Sequence, residues 1–532
     1  MRRYGGALYP ILFAAALVIA VAARSPGQYR GADLALVTAS AAALAALALA
    51  LAFGAMRLVE RSDRSVPLAS ALAMLAVGWI FYYVPAQTAL AAISTGFSRD
   101  LVLLPLAAIG TMATIAWLFR QSRARLDSLS AFMTRFGVLL AAIVVVHLAL
   151  SQRRSREAPR RSVLARELAR PLRIAAPPPA VRNTPRRDIY LIVLDEHPDA
   201  RGMREVLRYD NSAFEDTLRA LGFVIPREMQ SNYTQTLLSL PSLLNATQLT
   251  QLSQDEGETS RSFVLPSYLT ENNRAARFLK SQGYRYVLIP SAWFPTTQDS
   301  PLADAVVDLW PELSLASEAR RTELRRAVVR STMLRRWSRT MTSDRSFDLR
   351  FMEALRRMPA DSAPTFVLAH SVLSHHPYYL DASCRTRERP LAPRQIEDGE
   401  PVHRAARVAQ LRCVDSLVVD VATTLLRESR PQPVILVVGD HGTQFADPLH
   451  LQRPESVSPA FVRERFGTLG AFYLPAGGDS ALSGSVTLVN VMGHVLRYYF
   501  GADLPTSPDD RYVSGIQPFR FHRVDSSDRI VR

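Results

Sequence analysis

The chain has 532 residues, enough for two or three domains with a sizeable core, and a formal net charge of +15. Its only lysine is Lys280, so nearly all of the basic charge is arginine, concentrated in loops beside apolar segments and in one linker. A lipid surface is therefore a better expected partner than nucleic acid. The two cysteines, Cys384 and Cys413, exclude a zinc-finger framework and a disulfide-rich scaffold.

Apolar stretches fill the first 150 residues, and each approaches the roughly 20 residues that a helix needs to cross a hydrocarbon core. The first stretch alone could be a signal peptide, but more follow, so we predict a five-helix transmembrane domain over 1–150. The connections carry eight arginines on one side and three on the other, which places the N-terminus in the cytoplasm. The remaining chain then lies outside a bacterial inner membrane. The stretches are 8–23, 34–55, 66–93, 101–118 and 129–150.

The segment 151–187 is a basic linker that contains the run Pro177, Pro178 and Pro179. Its arginines alternate with apolar residues, which fits an interfacial amphipathic helix followed by a polyproline spacer. A disordered basic linker fits the same composition, and the sequence leaves both interpretations open. A second arginine-rich stretch, 320–339, is interpreted as a solvated helical insertion, with contacts to lipid phosphates as the alternative.

From residue 188 to 532 the pattern is that of an α/β domain. The short apolar runs DIYLIVLDE, YRYVLIP, TFVLAHSV and PVILVVGDHG are typical of buried parallel strands. Helical patterns at 211–221 and 272–282 lie between them and end at Gly222 and Gly283. We predict a doubly wound, mostly parallel sheet with helices on both faces, whose ligands bind beyond the carboxyl ends of the strands.

Carboxylates and imidazoles follow three of these strands. One such residue would most simply be structural, but three strand ends bring their side chains to one edge of the sheet. Mixed carboxylate and imidazole ligands suit one divalent metal ion, with zinc or manganese favoured over calcium or magnesium. The residues are Asp195, Glu196, His197, His370, His375, His376, Asp440 and His441.

The stretch NYTQTLLSLPSLLN, 232–245, is interpreted as a turn that presents a nucleophile. Pro241 has no amide hydrogen and fits the first turn of a helix, so we expect that helix to begin near Ser239 or Leu240, with Ser239 as its cap, and to run to Gln248. Thr236 would then lie in the turn before the helix. The free amides at a helix N-terminus, together with a metal ion, would stabilise its alkoxide.

These motifs resemble the sulfatase-like membrane branch of the alkaline-phosphatase superfamily, which includes lipid A phosphoethanolamine transferases and lipoteichoic acid synthases. Those transferases have a threonine followed three residues later by Ser-x-Pro-Cys, and Thr236-Leu-Leu-Ser-Leu-Pro-Ser matches except at the cysteine. The resemblance implies a metal site of Asp440, His441, Thr236 and Asp195, with Glu196 as the alternative to Asp195. It also implies that His375, in His-His-Pro-Tyr, and the later His450 bind substrate.

The chain departs from these families at several positions. Sulfatases convert the first residue of Ser-x-Pro-x-Arg to formylglycine, but Leu243 stands where that arginine belongs. The transferases place Glu-Thr-x-Arg after the first strand, where this chain has Asp-Glu-His-Pro, and they contain several disulfides. The two cysteines flank a polar segment of the exported domain, so we predict a single Cys384–Cys413 disulfide.

The sequence as a whole predicts a metal-dependent enzyme that transfers or hydrolyses phosphate (di)esters of a membrane lipid or envelope glycan. Thr236 is the expected nucleophile and His375 the expected proton donor to the leaving group. His375, His450, Glu196 and Ser239 are expected to line the substrate site. A sulfuric ester hydrolase and a non-catalytic envelope scaffold with the same fold are the alternatives.

Overall fold

The computed structural model divides the chain into two compact units. One comprises Met1–Glu157 with Glu312–Thr342, and the other comprises Ala158–Pro311 with Ser343–Arg532. The described residues are 8–531 except 25–28, 30, 61–62, 92, 94–99, 183, 292–298, 310–322, 337–344, 359–362, 388–400, 448–449, 480–481 and 483.

Apolar helices form most of the first unit, as the sequence predicts. Among the described residues, four helical segments are long and apolar enough to cross a membrane, and the helix Tyr9–Arg24, of 16 residues, is shorter. The helices are α1 (Tyr9–Arg24), α2 (Gly31–Val59), α3 (Ser65–Val77), which continues through a π-helical turn (Gly78–Tyr82) into α4 (Tyr83–Ala91), α5 (Asp100–Phe119) and α6 (Arg123–Arg161). The orientation in the membrane was predicted from the arginines of the short connections. Several of these arginines lie outside the described residues: Arg2, Arg3, Arg30, Arg61 and Arg99.

The described parts of the linker and of the arginine-rich insertion contain helices. Helix α6 continues through Arg161, so the first part of 151–187 is helical, which agrees with the helical interpretation of the linker and not with the disordered one. In the insertion, Glu323–Arg330 is a helix of the first unit, and Leu324 and Val328 are buried in a cluster with residues of α1 and α2. Their spacing of four residues puts both side chains on one helix face, so this insertion is not solvated on all sides.

Short helices and strands follow α6. The helices are α7 (Val163–Leu168), α8 (Pro179–Arg182), α9 (Ala200–Glu205), α10 (Ser212–Ala220), α11 (Thr236–Asn245), α12 (Leu252–Glu256), α13 (Val264–Glu271), α14 (Arg274–Ser281), α15 (Glu323–Arg330), α16 (Arg345–Arg356), α17 (Pro401–Glu428), α18 (Pro459–Phe466) and α19 (Leu488–Phe500), with 3-10 turns at Met333–Arg336 and Pro454–Ser456. The strands are β1 (Ile189–Leu194), β2 (Glu228–Gln230), β3 (Arg285–Ile289), β4 (Ala305–Val306), β5 (Thr365–Ser371), β6 (Val434–Gly439), β7 (Gly470–Tyr473), β8 (Ser485–Thr487), β9 (Arg511–Val513) and β10 (His522–Val524).

A mostly parallel sheet is the centre of the second unit, which confirms the predicted fold class. Its strand order is β4-β3-β5-β1-β6-β7, and β7 alone runs antiparallel to its neighbour. Alternate residues of β1 enter two different cores: Leu191 packs with α11, α14 and α19, and Ile192 packs with α10, α16 and α17. Because both faces are covered, β1 and β6 are buried at every position, which explains their continuous apolar sequences.

The helix that carries Thr236 differs from the prediction. Helix α11 begins at Thr236 and ends at Asn245, so Thr236 is its first residue and the expected start near Ser239 or Leu240 is wrong. Pro241 lies in the helix interior, where it removes one backbone hydrogen bond. All ten residues of α11 are buried, and this packing overrides the local preference of proline.

The predicted disulfide is present between Cys384 and Cys413, 29 residues apart. It ties the segment after β5 to the long helix α17. Gln410, one turn earlier on α17, also holds that segment: its Oε1 accepts from the backbone N–H groups of Tyr379 and Leu380, and its Nε2 donates to the carbonyl of Leu373. The loop containing His375 is therefore fixed to α17 on both sides.

Candidate active site

Two aspartates predicted as metal ligands meet at the carboxyl edge of the sheet. Asp195 follows β1 and Asp440 follows β6, and these strands are parallel neighbours. Asp440 Oδ1 accepts hydrogen bonds from the backbone N–H groups of Glu196 and His441, each at 2.9 Å. Both oxygens of Asp195 and Oδ2 of Asp440 are buried and have no hydrogen-bond partner in the described part of the chain. Buried carboxylate oxygens without donors call for a proton or a cation.

His441 completes a group that fits a divalent cation. Its Nε2 lies 3.2 Å from Asp440 Oδ2 and 4.0 Å from Asp195 Oδ1, while its Nδ1 lies 3.2 Å from the Gly442 carbonyl oxygen, which orients the ring. One ligand atom from each of the three residues lies within 4.8 Å of the others. Two carboxylates and an imidazole form a donor set that zinc and manganese accept.

The pKa values of these three side chains also favour a bound divalent cation. Burial, with the charge of Glu196, raises the pKa of Asp195 to about 7. Burial, with the charge of Asp195, raises the pKa of Asp440 to about 8. Burial and the Arg465 guanidinium together hold the pKa of His441 well below its usual range, so its ring is neutral and able to ligate a metal. A divalent cation would remove the repulsion between the two carboxylates.

Thr236 is the hydroxyl that reaches this group. Its Oγ1 lies 3.1 Å from His441 Nε2, and as the first residue of α11 it lies at the positive end of that helix. The neighbouring hydroxyls point elsewhere: Ser239 bonds to the carbonyls of Tyr233 and Gln235, and Ser242 donates to the carbonyl of Thr247. Ser239 therefore neither caps α11, as its sequence position suggested, nor faces the metal group.

Glu196 and Asp195 are adjacent in sequence, but their carboxylates enter different groups. Glu196 has a φ of 62°, a left-handed conformation that sends its side chain away from Asp440. Its carboxylate lies 3.2 Å from Arg407 Nη1 and 3.0 Å from Arg465 Nη1. Burial alone would raise the pKa of Glu196, but the two arginines and His375 outweigh it and lower the pKa well below its usual range.

A second acidic and imidazole cluster therefore does not suit a metal. Glu196, His375 and His376 place one ligand atom each within 4.8 Å of one another. However, two guanidinium groups already pair with the only carboxylate in that cluster and exceed its charge, so a cation there would be repelled by both of them. Of the two carboxylates that the sequence left open, the geometry thus favours Asp195 beside the other predicted metal ligands.

Arg407 and Arg465 are site residues that the sequence did not reveal. Both are buried, at 2% and 6% exposure, although the chain carries arginines throughout its surface. Arg407 lies on α17 and Arg465 near the end of α18, in segments that otherwise read as ordinary amphipathic helix. No local motif separates them from the many solvated arginines, so only the fold identifies them.

His375 and His450 lie at the same edge of the sheet. His375 Nδ1 lies 2.8 Å from the His376 carbonyl oxygen, and its Nε2 lies 3.7 Å from Glu196 Oε2. Its side chain is 23% exposed, which leaves it open to solvent. His450 Nδ1 lies 3.0 Å from the Asp447 carbonyl oxygen, and its buried Nε2 has no partner among the described residues. Burial lowers the pKa of His450 to about 3, with Arg465 contributing.

The other candidate histidines, His197, His370 and His376, are mostly enclosed by the protein. His197 is buried between Asp415 Oδ1 and the Pro198 carbonyl, each 3.0 Å from a ring nitrogen, and faces away from the metal group. His370 is fully buried on β5, and burial lowers its pKa to about 3. His376 stacks on His375 with ring centroids 3.9 Å apart, and burial lowers its pKa to about 3 as well.

The chain is similar in structure to several solved proteins. No protein-family model and no curated protein matches it. It is similar to a zinc complex of the C-terminal periplasmic domain of EcEptC from Escherichia coli, at 12% identity over 65% of this chain and 94% of that chain, with a TM-score of 0.41. It is also similar to the integral membrane protein lipooligosaccharide phosphoethanolamine transferase A from Neisseria meningitidis, at 13% identity over 93% of this chain and 95% of that chain, with a TM-score of 0.39.

A third similar structure is the lipoteichoic acid synthase LtaP from Listeria monocytogenes, at 10% identity over 71% of this chain and 92% of that chain, with a TM-score of 0.39. The names of the Neisseria and Listeria proteins are those of the enzyme classes that the sequence motifs resemble. The identities and TM-scores are too low to assign a function, so the function must follow from the side chains of this chain.

Proposed function

We propose that this chain is a membrane-anchored, metal-dependent enzyme that transfers or hydrolyses phosphate (di)esters, with Thr236 as nucleophile. The observation that carries the proposal is the position of Thr236 Oγ1, 3.1 Å from His441 Nε2 and at the N-terminus of α11. A buried hydroxyl beside a neutral imidazole and three unpartnered carboxylate oxygens is unusual for a structural residue. It is the arrangement that an activated hydroxyl nucleophile requires.

A divalent metal would be held by Asp195, Asp440, His441 and the Thr236 hydroxyl. When bound, the cation would lower the pKa of the Thr236 hydroxyl and neutralise charge on the phosphoryl group. Zinc and manganese fit the mixed nitrogen and oxygen donors. The free amides at the start of α11 add positive potential at the same oxygen.

The reaction would proceed in two displacements. Thr236 Oγ1, whose proton passes to solvent, forms a bond to phosphorus while the bond from phosphorus to the leaving alcohol breaks, and His375 Nε2, at the open side of the site, donates a proton to the leaving oxygen. A hydroxyl from water or from an acceptor then attacks the phospho-threonine and gives its proton to His375, while the bond from phosphorus to Thr236 Oγ1 breaks and Oγ1 takes up a proton again. His450 Nε2, buried and unpartnered in the described structure, would orient that acceptor.

The apolar helices suggest the source of the substrate. In the described part of the chain, four helical segments long and apolar enough to cross a membrane precede the sheet domain in sequence, so they would anchor the domain to a membrane. The arginine distribution predicts that it lies on the outer side of a bacterial inner membrane. A membrane lipid or an envelope glycan is therefore the proposed phosphate ester, and nucleic acid is not proposed as a substrate.

The alternatives have less support. In a sulfatase-type mechanism Ser239 would be the reacting residue, but its hydroxyl bonds to two carbonyls of the preceding turn and to Ser231 Oγ at 3.1 Å. A non-catalytic scaffold has no use for unpartnered buried carboxylates, because removing their charge would stabilise the fold. The orientation of Thr236 and of the two aspartates thus favours an enzyme.

The test is a search for the covalent intermediate. The full chain, purified in detergent and loaded with zinc or manganese, is incubated with bacterial phospholipids and digested, and the peptide containing Thr236 is examined by mass spectrometry. A phosphoryl adduct on Thr236 is expected. Thr236→Ala should lose the adduct and keep its metal, whereas Ser239→Ala should keep both. An adduct on Ser239, or no adduct on fully metal-loaded protein with any phosphate ester tried, would contradict the proposal.

A further inference from the structure

Arg465 has an unusually complete set of contacts for a residue beside a metal group. Its Nε donates to the Thr234 carbonyl at 2.9 Å, and its Nη1 donates to the Gly442 carbonyl at 2.7 Å and to Glu196 Oε1 at 3.0 Å. The remaining nitrogen, Nη2, lies 3.2 Å from His441 Nε2. Three acceptors therefore fix the guanidinium plane and direct Nη2 at the nitrogen expected to bind metal.

The same nitrogen is within reach of the proposed nucleophile. Thr236 Oγ1 and Arg465 Nη2 lie 3.1 and 3.2 Å from His441 Nε2, so they are separated by no more than about 6 Å. A gap of that size accommodates a phosphoryl group bonded to Oγ1 with one of its other oxygens hydrogen-bonded to Nη2. The planar guanidinium is the side chain best suited to phosphoryl oxygens.

We propose that Arg465 is a catalytic residue that binds a non-bridging oxygen of the phosphoryl group transferred to Thr236. Once His441 Nε2 ligates a metal, its lone pair no longer accepts a hydrogen bond, and the Nη2 hydrogen directed at it becomes available to the substrate. This inference rests on the proposed phosphoryl transfer and assigns to it a residue that the sequence motifs do not include.

Arg407 makes this assignment electrostatically consistent. Its Nη1 lies 3.2 Å from Glu196 Oε2 and its Nη2 donates to the Glu196 carbonyl oxygen at 2.6 Å. Arg407 alone therefore balances the charge of Glu196, and the charge of Arg465 remains in excess for an anionic substrate. Glu196 and Arg407 are positioning residues in this scheme, because they hold Arg465 and do not themselves contact the phosphoryl group.

The test measures binding of inorganic phosphate to the full-length, metal-loaded protein by calorimetry, with metal content determined on the same samples. Arg465→Gln should retain stoichiometric metal and lose about 10- to 100-fold in phosphate affinity, the range expected for one charge-assisted hydrogen bond. Arg463→Gln is the matched control. Arg463 lies on the same helix, is 45% exposed and pairs with Asp528 at 3.6 Å, so its loss should leave phosphate affinity unchanged.

Different results separate the two proposals. Equal phosphate affinity in Arg465→Gln and wild type would overturn the role of Arg465 and leave phosphoryl transfer standing. Loss of metal in Arg465→Gln would also overturn it, because Arg465 would then act through the metal ligands. Metal-loaded wild type that neither binds phosphate nor forms the Thr236 adduct would refute the proposed function and this inference with it.

A second variant serves if Arg465→Gln does not fold. Arg465→Lys keeps a positive charge beside Glu196, but one nitrogen cannot serve Glu196, the Gly442 carbonyl and a phosphoryl oxygen together. Its phosphate affinity should still fall by about 5-fold or more. Unchanged affinity in this variant would overturn the inference in the same way.

Discussion

Removing metal from this protein should make it less stable as the pH rises from 6.5 to 8. In the metal-free fold, burial and a neighbouring carboxylate raise the pKa of Asp195 to about 7 and that of Asp440 to about 8. The unfolded chain ionises both near pH 4, so in this window the folded protein holds protons that the unfolded chain has lost. Each step up in pH therefore favours unfolding. The buried histidines, with pKa values lowered to about 3, act in the opposite sense until the unfolded imidazoles have lost their protons, so between pH 6.5 and about 7.5 they offset part of this loss.

The size of the effect follows from these pKa values. Between pH 6.5 and 8 both aspartates, with folded pKa values of about 8 and about 7, lose the protons that the unfolded chain has already lost, and each lowers the free energy of unfolding. Together the two aspartates should remove about 2 kcal/mol. In a domain of this size that loss alone lowers the melting temperature by about 3 °C.

Thermal unfolding of the full chain in detergent, with a chelator present, measures this shift. Asp440→Asn is the matched control, because the amide keeps an oxygen for the backbone donors but does not titrate, so the contribution of Asp440 to the pH dependence should disappear while that of the histidines stays. Glu271, whose pKa burial also raises to about 7, contributes equally to both proteins. Excess zinc should flatten the wild-type profile by keeping both aspartates ionised. Identical pH profiles for metal-free wild type and Asp440→Asn would refute the reasoning.

Three further predictions address the metal, the topology and the disulfide. Asp440→Ala and His441→Ala should each lose bound metal by elemental analysis while keeping the circular dichroism of the wild type, and full metal occupancy in either would exclude the site. A reporter that is active only outside the cytoplasm should be active when fused after Arg187, and a reporter active only in the cytoplasm should be silent there. Cys413→Ser should lower the free energy of unfolding by about 3–4 kcal/mol for a loop of this length, and unchanged denaturant unfolding would contradict that estimate.

The sheet and the group of two aspartates and a histidine at its edge were predictable because their signals are local. Strands buried on both faces must be continuously apolar, so β1 and β6 stand out in the sequence, and the residues that follow them must meet at one edge. Thr236 was also predictable, because the motif places it at a helix N-terminus even though that helix begins three residues earlier than Pro241 suggested.

The rest of the site depends on contacts between distant parts of the chain. Arg465 lies 269 residues from its partner Glu196, and Arg407 lies 211 residues from it. Because nearly all basic residues of the chain are arginine, the sequence does not show which arginines are buried at the candidate site. Ser239 illustrates the opposite error: its sequence position suggested a helix cap, but the helix begins before it, so its hydroxyl turns back to the carbonyl of Gln235.

The φ angle of Glu196 gives the adjacent carboxylates of Asp195 and Glu196 different contacts. Asp195 continues the direction of β1 toward Asp440, whereas the left-handed conformation of Glu196, at φ 62°, turns the next side chain toward α17. That conformation costs a residue with a β-carbon about 1 kcal/mol, which the two buried ion pairs of Glu196 offset. The result is a candidate site with separate parts: two aspartates that could share a cation, and a glutamate that holds a guanidinium beside them. If both carboxylates faced the same way, three negative charges would meet at the proposed metal site, and Glu196 would not hold Arg465 near Thr236, the proposed nucleophile.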